Sequence, residues 1–467
     1  MLSHDVDLAE LPSKLIGWLQ GRMPDAEHLS VSHVERSGAG FTNVSIAFTL
    51  SWQEAGQQRT AGMLFRGAGG SDPVYPDFKL ERQFQVMRCL QDTAVPVPKT
   101  YWMEPDDHLF GFPFYIMSKI DGVVPSEYPP YHSFGVCYDA APEKRAKMWW
   151  GTLEAMADIH KLNWQQLGLS FLGIPPPGTG PLDRELDYWA HYLDWAKEER
   201  QPILETALQW LRRNRYAPER VTLCWGDARL PNTMFSATGD VVVVLDWDMA
   251  VLGDPEWDLA FMIVLDWLLS EGTGVPRLDG FPSREESIAR YEQVTGWKVN
   301  HFSYNEIFAT FRAAVVILRV QKNLQKIGIE LPGDDPILDN FCTRRLADLL
   351  GLPPPGATRL AILREEDISG TVQVHLTGRG GGDWYVVAHQ GRATRGEGTV
   401  DNPDATVTIA AADWAAIQRG ELNPFNAWTM GKLKVAGNTV LYQHLADTIT
   451  KTGTSPDEDP REKENAQ

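Results

Sequence analysis

The stretch from Leu223 to Phe261, LCWGDARLPNTMFSATGDVVVVLDWDMAVLGDPEWDLAF, decides the fold, and the chain is organised around it. Asp227 is followed five positions on by an amide, Asn232. A turn at Thr238-Gly239-Asp240 leads into the apolar, mostly β-branched run from Val241 to Leu245, which ends on Asp246. Gly253-Asp254-Pro255 then opens a new apolar segment. A loop carboxylate, an amide close behind it and a second carboxylate at the end of a buried strand can converge on a metal-bound phosphate. One Asp takes the proton of an attacking hydroxyl. The Asn and the other Asp hold Mg²⁺, a hard cation that prefers oxygen ligands. Phosphoryl transfer asks little more of a protein than this positioning and charge neutralisation. Each residue alone also has an ordinary structural reading. Asp227 beside Gly226 can form a turn, Asn232 after Pro231 can cap one, and Asp254-Pro255 reads as a helix start. Their order and spacing carry the chemistry.

The stretch resembles the catalytic core of the aminoglycoside phosphotransferase and choline kinase-like family, distant relatives of the protein kinases. That family reads H-G-D-x-x-x-x-N, then an apolar strand ending in D-W or D-F, then G-D-P-x-x-D-L-A. The matching residues are Trp225-Gly226-Asp227, Asn232, Asp246-Trp247, and Gly253-Asp254-Pro255 with Asp258-Leu259-Ala260. Trp225 departs from the pattern: the usual residue is a His that supports the catalytic loop. The resemblance implies an α+β, two-lobed kinase-like domain over residues 1–351, with the lobes at about 1–117 and 122–351. It implies Asp227 as the catalytic base and Asn232 and Asp246 as the Mg²⁺ ligands, with Asp248 a weaker candidate.

Upstream, Leu8 to Gln20 has the apolar spacing of an amphipathic helix. Ser37, Gly38, Gly40, Phe41, Thr42 and Asn43 lie in a turn between two strand-like runs. Such a turn brings backbone N–H groups to a phosphate or simply closes a hairpin. The resemblance favours the phosphate loop. The run Ala61 to Arg66 reads as a strand ending on a cation, and Arg66 matches the family's phosphate-facing Lys or Arg. Helical spacing follows from Lys79 to Gln91, and Glu81 matches the helix Glu that fixes that cation. It serves equally as a favourable charge at a helix start. Phe112 to Ile120 reads as a buried strand running into the hinge, where the backbone near Met117, Ser118 and Ile120 would bond adenine. Asp121-Gly122 follows as a turn. Helices are expected over 144–162, 182–213, 258–269, 284–295 and 304–327. His160, in M-A-D-I-H, is expected to be a buried supporting residue. The aromatic residues Trp189, Tyr192, Trp195 and Trp210 line an apolar acceptor pocket or belong to the core, and core is the favoured reading.

The chain of 467 residues has room for about two to three domains. Its 43% hydrophobic and 22% charged residues are ordinary for a soluble globular protein. No apolar run approaches the length of a membrane span, and the acidic N-terminus does not read as a signal peptide. A net charge of −19 argues against nucleic acid or an anionic membrane as partner. Cys89, Cys137, Cys224 and Cys342 lie far apart without zinc spacing, which fits reduced thiols in the cytoplasm.

Leu352-Pro353-Pro354-Pro355-Gly356-Ala357 reads as a linker, placed at 352–358. Beyond it, strand-like alternation over 368–376, 384–389, 393–400 and 402–409 gives way to helices over 411–419 and 427–430. A strand over 432–437 and a helix over 441–450 follow. Three pieces resemble the sterol carrier protein lipid-binding domain: Asp404-Ala405-Thr406-Val407-Thr408-Ile409, Arg419-Gly420-Glu421-Leu422-Asn423-Pro424 and Gly431-Lys432-Leu433-Lys434-Val435-Ala436-Gly437. That implies a small α+β domain over 359–451 with an apolar tunnel for an acyl or lipid ligand. Residues 452–467 have the composition of a disordered tail.

The expected function is ATP- and Mg²⁺-dependent transfer of the γ-phosphate to a hydroxyl of a small molecule. The sequence is similar to the branch associated with acyl-CoA dehydrogenases, which implies a hydroxyacyl-CoA or another hydrophobic alcohol as acceptor. Two rivals remain. One is a kinase-like protein without catalysis that carries lipid. The other is an aminoglycoside phosphotransferase, which would present carboxylates such as Asp334, Asp335 and Asp339 to a polycationic drug. The oligomeric state is not legible in the sequence.

Overall fold

In the computed structural model the described residues are 6–37, 43–68, 73–76, 80–173, 179–326, 328–329, 331, 335–353, 355, 369–389, 392–419, 422, 427, 432–437, 441–442, 445 and 449. The chain divides into two compact units. One comprises Met1–Ile329 and Ile337–Pro355, the other Glu330–Pro336 and Gly356–Gln467.

The first unit begins with helix α1 (Leu11–Gln20), which packs Leu11, Leu15 and Leu19 inward at a four-residue spacing. Strands β1 (Glu27–Arg36), β2 (Asn43–Glu54), β3 (Gln57–Ala68), helix α2 (Leu80–Leu90), β4 (Thr100–Glu104) and β5 (Phe114–Ser118) follow. The strands form one sheet in the order β1-β2-β3-β5-β4. Alternation puts Ile46, Phe48 and Leu50 of β2 and Met63 and Phe65 of β3 on the face that meets α1. Phe65 stacks on Phe114 at 4.7 Å between ring centres. The phase of α2 buries Leu80, Gln83, Phe84, Val86, Met87 and Leu90.

The rest of this unit is mostly helical. It contains α3 (Pro142–Lys161), α4 (Pro181–Ala196), α5 (Pro202–Arg213), β6 (Thr222–Cys224), β7 (Thr233–Phe235), β8 (Val241–Val244), β9 (Val251–Gly253), α6 (Glu256–Leu268), α7 (Arg284–Thr295), α8 (Phe302–Lys326) and α9 (Phe341–Leu349). Two ribbons, β6 with β9 and β7 with β8, hold the loops of the central stretch. The single helix expected over 182–213 is two. Lys197 leaves the helix in an extended conformation, and Pro202, which has no N–H to give to a preceding turn, opens α5. Helix α9 has no counterpart in the sequence reading. Asn340 caps its first turn by accepting from the backbone of Cys342 and Thr343.

The second unit is built on a sheet of β10 (Gly370–Thr377), β11 (Gly382–His389), β12 (Arg392–Glu397), β13 (Ala405–Ala410) and β14 (Leu433–Gly437), in the order β12-β11-β10-β13-β14. The β10–β13 pair is parallel and its neighbours are antiparallel. Helix α10 (Ala411–Gln418) follows β13 directly and brings Trp414 to 6.0 Å from Trp384. Leu441, Leu445 and Ile449 are helical, four residues apart, and buried in the same cluster. The expected helix at 427–430 is described only at Ala427, and the tail 452–467 lies outside the described residues. Among the described residues no helix is long and apolar enough to cross a membrane.

Candidate functional site

The loop after β6 carries Asp227. Its preceding residue, Gly226, has φ +87°, and a Cβ there would lie 1.9 Å from the Met249 carbonyl oxygen. Only glycine fits this turn. The loop is fixed from below by Asp258 of α6, whose two carboxylate oxygens accept from the backbone N–H groups of Trp225 at 2.5 Å and Gly226 at 2.8 Å. His160 lies 3.0 Å from the same carboxylate through Nε2 and 2.7 Å from the Tyr291 hydroxyl through Nδ1. It is the buried supporting residue that the sequence suggested. Cys224, His160 and Asp258 lie close together, but these hydrogen bonds already engage the His and the carboxylate, and the Cys224 thiol donates to the Asp254 carbonyl at 3.3 Å.

Asp227 is 6% exposed. Its Oδ2 accepts from Asn232 Nδ2 at 2.7 Å and from Arg229 Nε at 3.0 Å. Asn232 also donates to the Asp227 backbone carbonyl at 3.0 Å. The amide nitrogen is therefore spent on the loop, and its oxygen is the atom left to bind elsewhere. No donor among the described residues reaches Asp227 Oδ1. Burial raises the Asp227 pKa; Arg229 and Asn232 oppose that, while Asp246 and Glu127 add to it, and the net shift is upward.

Asp246 ends the β8 run in a left-handed conformation, φ +57°, rare for a residue with a side chain. Leu245 N–H donates to the Asn232 carbonyl at 2.8 Å, which ties the second carboxylate to the amide. Burial raises the Asp248 pKa well above the usual range, and the neighbouring Asp246 charge adds to it. Asp246 and Asp248, with the amide oxygen of Asn232 on the stretch that this backbone bond ties to them, offer only oxygen donors, which fits a hard divalent cation.

Arg66 on β3 reaches Asp246 at 3.8 Å. Its Nε is buried without a hydrogen-bond partner, so it keeps donor capacity for an anion. Burial opposes its charge, but Tyr115, Asp246 and Asp248 outweigh that and raise its pKa. Glu81 is not brought to Arg66. It is exposed and accepts from Gln85 at 2.9 Å. The reason is helical phase: the buried polar residue in the first turn of α2 is Gln83, which accepts from the Tyr115 hydroxyl at 2.8 Å. Ser37 and Asn43 flank the expected phosphate turn; Gly38, Gly40, Phe41 and Thr42 lie outside the described residues.

At the hinge, Met117 is buried between Leu64 and Thr100. Ser118 N–H donates to Lys99 O at 2.8 Å and Lys119 N–H to Gly62 O at 3.0 Å. These groups belong to the sheet, and Ile120 lies past its last pairing.

The sequence reading missed two residues. Arg229 bridges Asp227 and Glu127, and Glu127 comes from the irregular segment after the hinge. Burial disfavours the Arg229 charge, yet Asp227 and Glu127 hold its pKa far above the usual value. Arg229 lies inside the motif at an unspecified position. Glu127 is 102 residues away in sequence, so nothing local points to it.

Residues 70–294 match the family described as "Phosphotransferase enzyme family", and residues 364–450 match the "SCP-2 sterol transfer family". Two curated relatives are "Probable acyl-CoA dehydrogenase IBR3" of Arabidopsis thaliana and human "Acyl-CoA dehydrogenase family member 11". They are 29% and 28% identical, over 60% and 47% of this chain. The chain spans only 36% and 28% of their own lengths. A crystal structure of a "putative aminoglycoside phosphotransferase" from Ralstonia eutropha superposes with a TM-score of 0.53 at 24% identity, covering 72% of this chain and 95% of that one. The fold of the first unit is accordingly the kinase-like one, and the second unit is an SCP-2 domain with its own sheet.

Proposed function

We propose that this chain, in which a phosphotransferase-family segment is joined to an SCP-2 segment, transfers the γ-phosphate of ATP to a hydroxyl of a small molecule. The observation that carries the reading is the asymmetry of the Asp227 carboxylate. Oδ2 is held by Asn232 and Arg229, and Oδ1 faces no donor among the described residues. The anchored oxygen fixes the side chain, and the other accepts the proton of the acceptor hydroxyl. Asn232, through its amide oxygen, and Asp246 hold Mg²⁺, with Asp248 beside them. The ion neutralises phosphate charge and orients the transferred group when bound. Arg66 spends its unused donors on the nucleotide phosphates. The expected phosphate loop between Ser37 and Asn43, of which residues 38–42 lie outside the described residues, would cover them, and the backbone at Ile120, beyond the committed N–H groups of Ser118 and Lys119, takes the adenine edge.

The acceptor we infer is a hydrophobic alcohol, with a hydroxyacyl thioester first. Three observations support it. The curated relatives carry acyl-CoA dehydrogenase names. An SCP-2 segment is fused to the chain. Val123, Val124, Tyr128 and Phe134 are exposed on the segment that supplies Glu127. An aminoglycoside is a poorer fit, because Asp339 is paired with Arg344 at 2.6 Å and is not offered to a polycation.

The test is calorimetric titration of Mg²⁺-ATP into the wild type and Asp246→Asn, followed by an acceptor screen read by ADP release. Magnesium-dependent binding lost in the variant supports the site. Absence of binding to the wild type at millimolar nucleotide overturns it, and no turnover with hydroxylated acyl thioesters overturns the acceptor.

A further inference from the structure

Trp225 is the residue at which this chain departs from its family, and it is fully buried. Its backbone N–H is taken by Asp258, so its main chain is fixed to α6. Its indole Nε1 donates to two consecutive carbonyls at the end of the β8 run, Leu245 O at 2.8 Å and Asp246 O at 3.1 Å. The ring sits against Trp247 with 6.2 Å between centres.

These contacts bear on one strained residue. Asp246 has φ +57°, a conformation that a residue with a Cβ adopts only where its surroundings impose it. Two restraints meet there. The Leu245 N–H is bonded to the Asn232 carbonyl on one side, and the Leu245 and Asp246 carbonyls are bonded to Trp225 on the other. The first restraint joins the two metal-ligand stretches. The second joins the Asp246 turn to the residue two before Asp227. An indole N–H is a donor and never an acceptor, so its direction of bonding is fixed.

We propose that Trp225 is a positioning residue that holds Asp246 in its left-handed, metal-facing conformation. This deepens the phosphotransferase reading and rests on it. Trp225 touches neither nucleotide nor acceptor; it acts through the carbonyls that set the backbone of Asp246. Trp225 supplies a ring N–H donor at the position where the family has His, and the loop keeps its support.

The test uses the full chain. Trp225→Phe removes the donor and keeps a ring; Trp225→His restores a ring N–H; Trp247→Phe removes a neighbouring indole whose N–H, among the described residues, donates to Val244 O at 3.3 Å and not to the Asp246 turn. ATP binding is measured by calorimetry with Mg²⁺ and with EDTA, beside thermal unfolding. Loss of the bond should weaken Mg²⁺-ATP binding about tenfold in Trp225→Phe, leave the metal-free ATP affinity unchanged, and be partly reversed in Trp225→His. Trp247→Phe should keep the magnesium dependence of the wild type. A folded Trp225→Phe with wild-type Mg²⁺-ATP affinity overturns the inference while leaving the site reading intact. If Trp225→Phe does not fold, Trp225→His decides: retained magnesium dependence supports the inference, and its loss in a folded variant overturns it. A wild type that binds no Mg²⁺-ATP overturns the underlying reading instead.

Discussion

Arg229 donates from Nε to the carboxylate of Asp227 at 3.0 Å, two positions along the same loop, while its Nη1 is bound by Glu127. A partly buried guanidinium with a carboxylate at either end is a rigid spacer. It joins the proposed base to the segment that follows the hinge. Arg229 is thus the counter-charge for a desolvated Asp227 and, with Asn232, fixes the direction of that carboxylate.

Replacing Arg229 by Met should lower kcat for ADP release by roughly a hundredfold, the scale seen when a preorganised donor is removed from a catalytic centre. The Mg²⁺-ATP affinity should change by less than about threefold, because the nucleotide's proposed partners are intact. Arg229→Lys should not rescue, since an ammonium cannot place two donors in a fork. Steady-state kinetics beside calorimetry separates the effects, and a Lys variant as active as wild type would refute the spacer role.

Arg66 and Glu81 should behave independently. Glu81→Ala touches only an exposed hydrogen bond to Gln85 and should shift stability by no more than about 0.5 kcal/mol, with ATP affinity unchanged. Arg66→Ala should weaken ATP binding about tenfold or more, as expected for a lost charge-assisted contact. Equal losses in the two variants would show that they act as a pair after all.

Acid stability should depend on Asp266. This buried carboxylate accepts from Tyr131 and from Arg277 Nε at 2.7 Å, and faces His132 Nε2 at 2.9 Å. Burial pushes its pKa up, but the bond to His132 and the charge of Arg277 outweigh that and the net shift is downward. A depressed folded-state pKa means that its contribution is fully present above the unfolded value, about 3.9, and is lost as pH falls through the folded one. Asp266→Asn should cost about 3–5 kcal/mol at neutral pH by leaving Arg277 without its counter-charge, and should flatten the loss of stability below about pH 4. Chemical denaturation across pH 2.5–7 reads both; an unchanged acid limb in the variant would count against the assignment.

Gly226→Ala should destabilise the protein by at least about 2 kcal/mol and abolish turnover, because a left-handed turn and a carbonyl contact of 1.9 Å both exclude a Cβ. Thermal unfolding with ADP-release assays checks this. A stable, active variant would mean that the loop is not held as described.

The sequence by itself determined the kinase-like and SCP-2 folds. The order Asp227, Asn232, Asp246, Asp254, Asp258 and the β10–β14 alternation are local patterns, written in spacing and polarity. It also marked Trp225 as an oddity and His160 as a support, since both lie inside recognisable motifs. Tertiary structure decided what those residues touch. Whether Glu81 faces Arg66 depended on the phase at which α2 meets the sheet, and that phase presents Gln83 instead. Whether the Trp at 225 was damage or substitution depended on where its N–H points, and two carbonyls of the β8 end receive it. The partner of Arg229 came from a hinge segment 102 residues away. Spacing along a chain fixes which side chains share a helix face or strand. Contacts between separate elements follow from how their surfaces pack, and no local pattern encodes them.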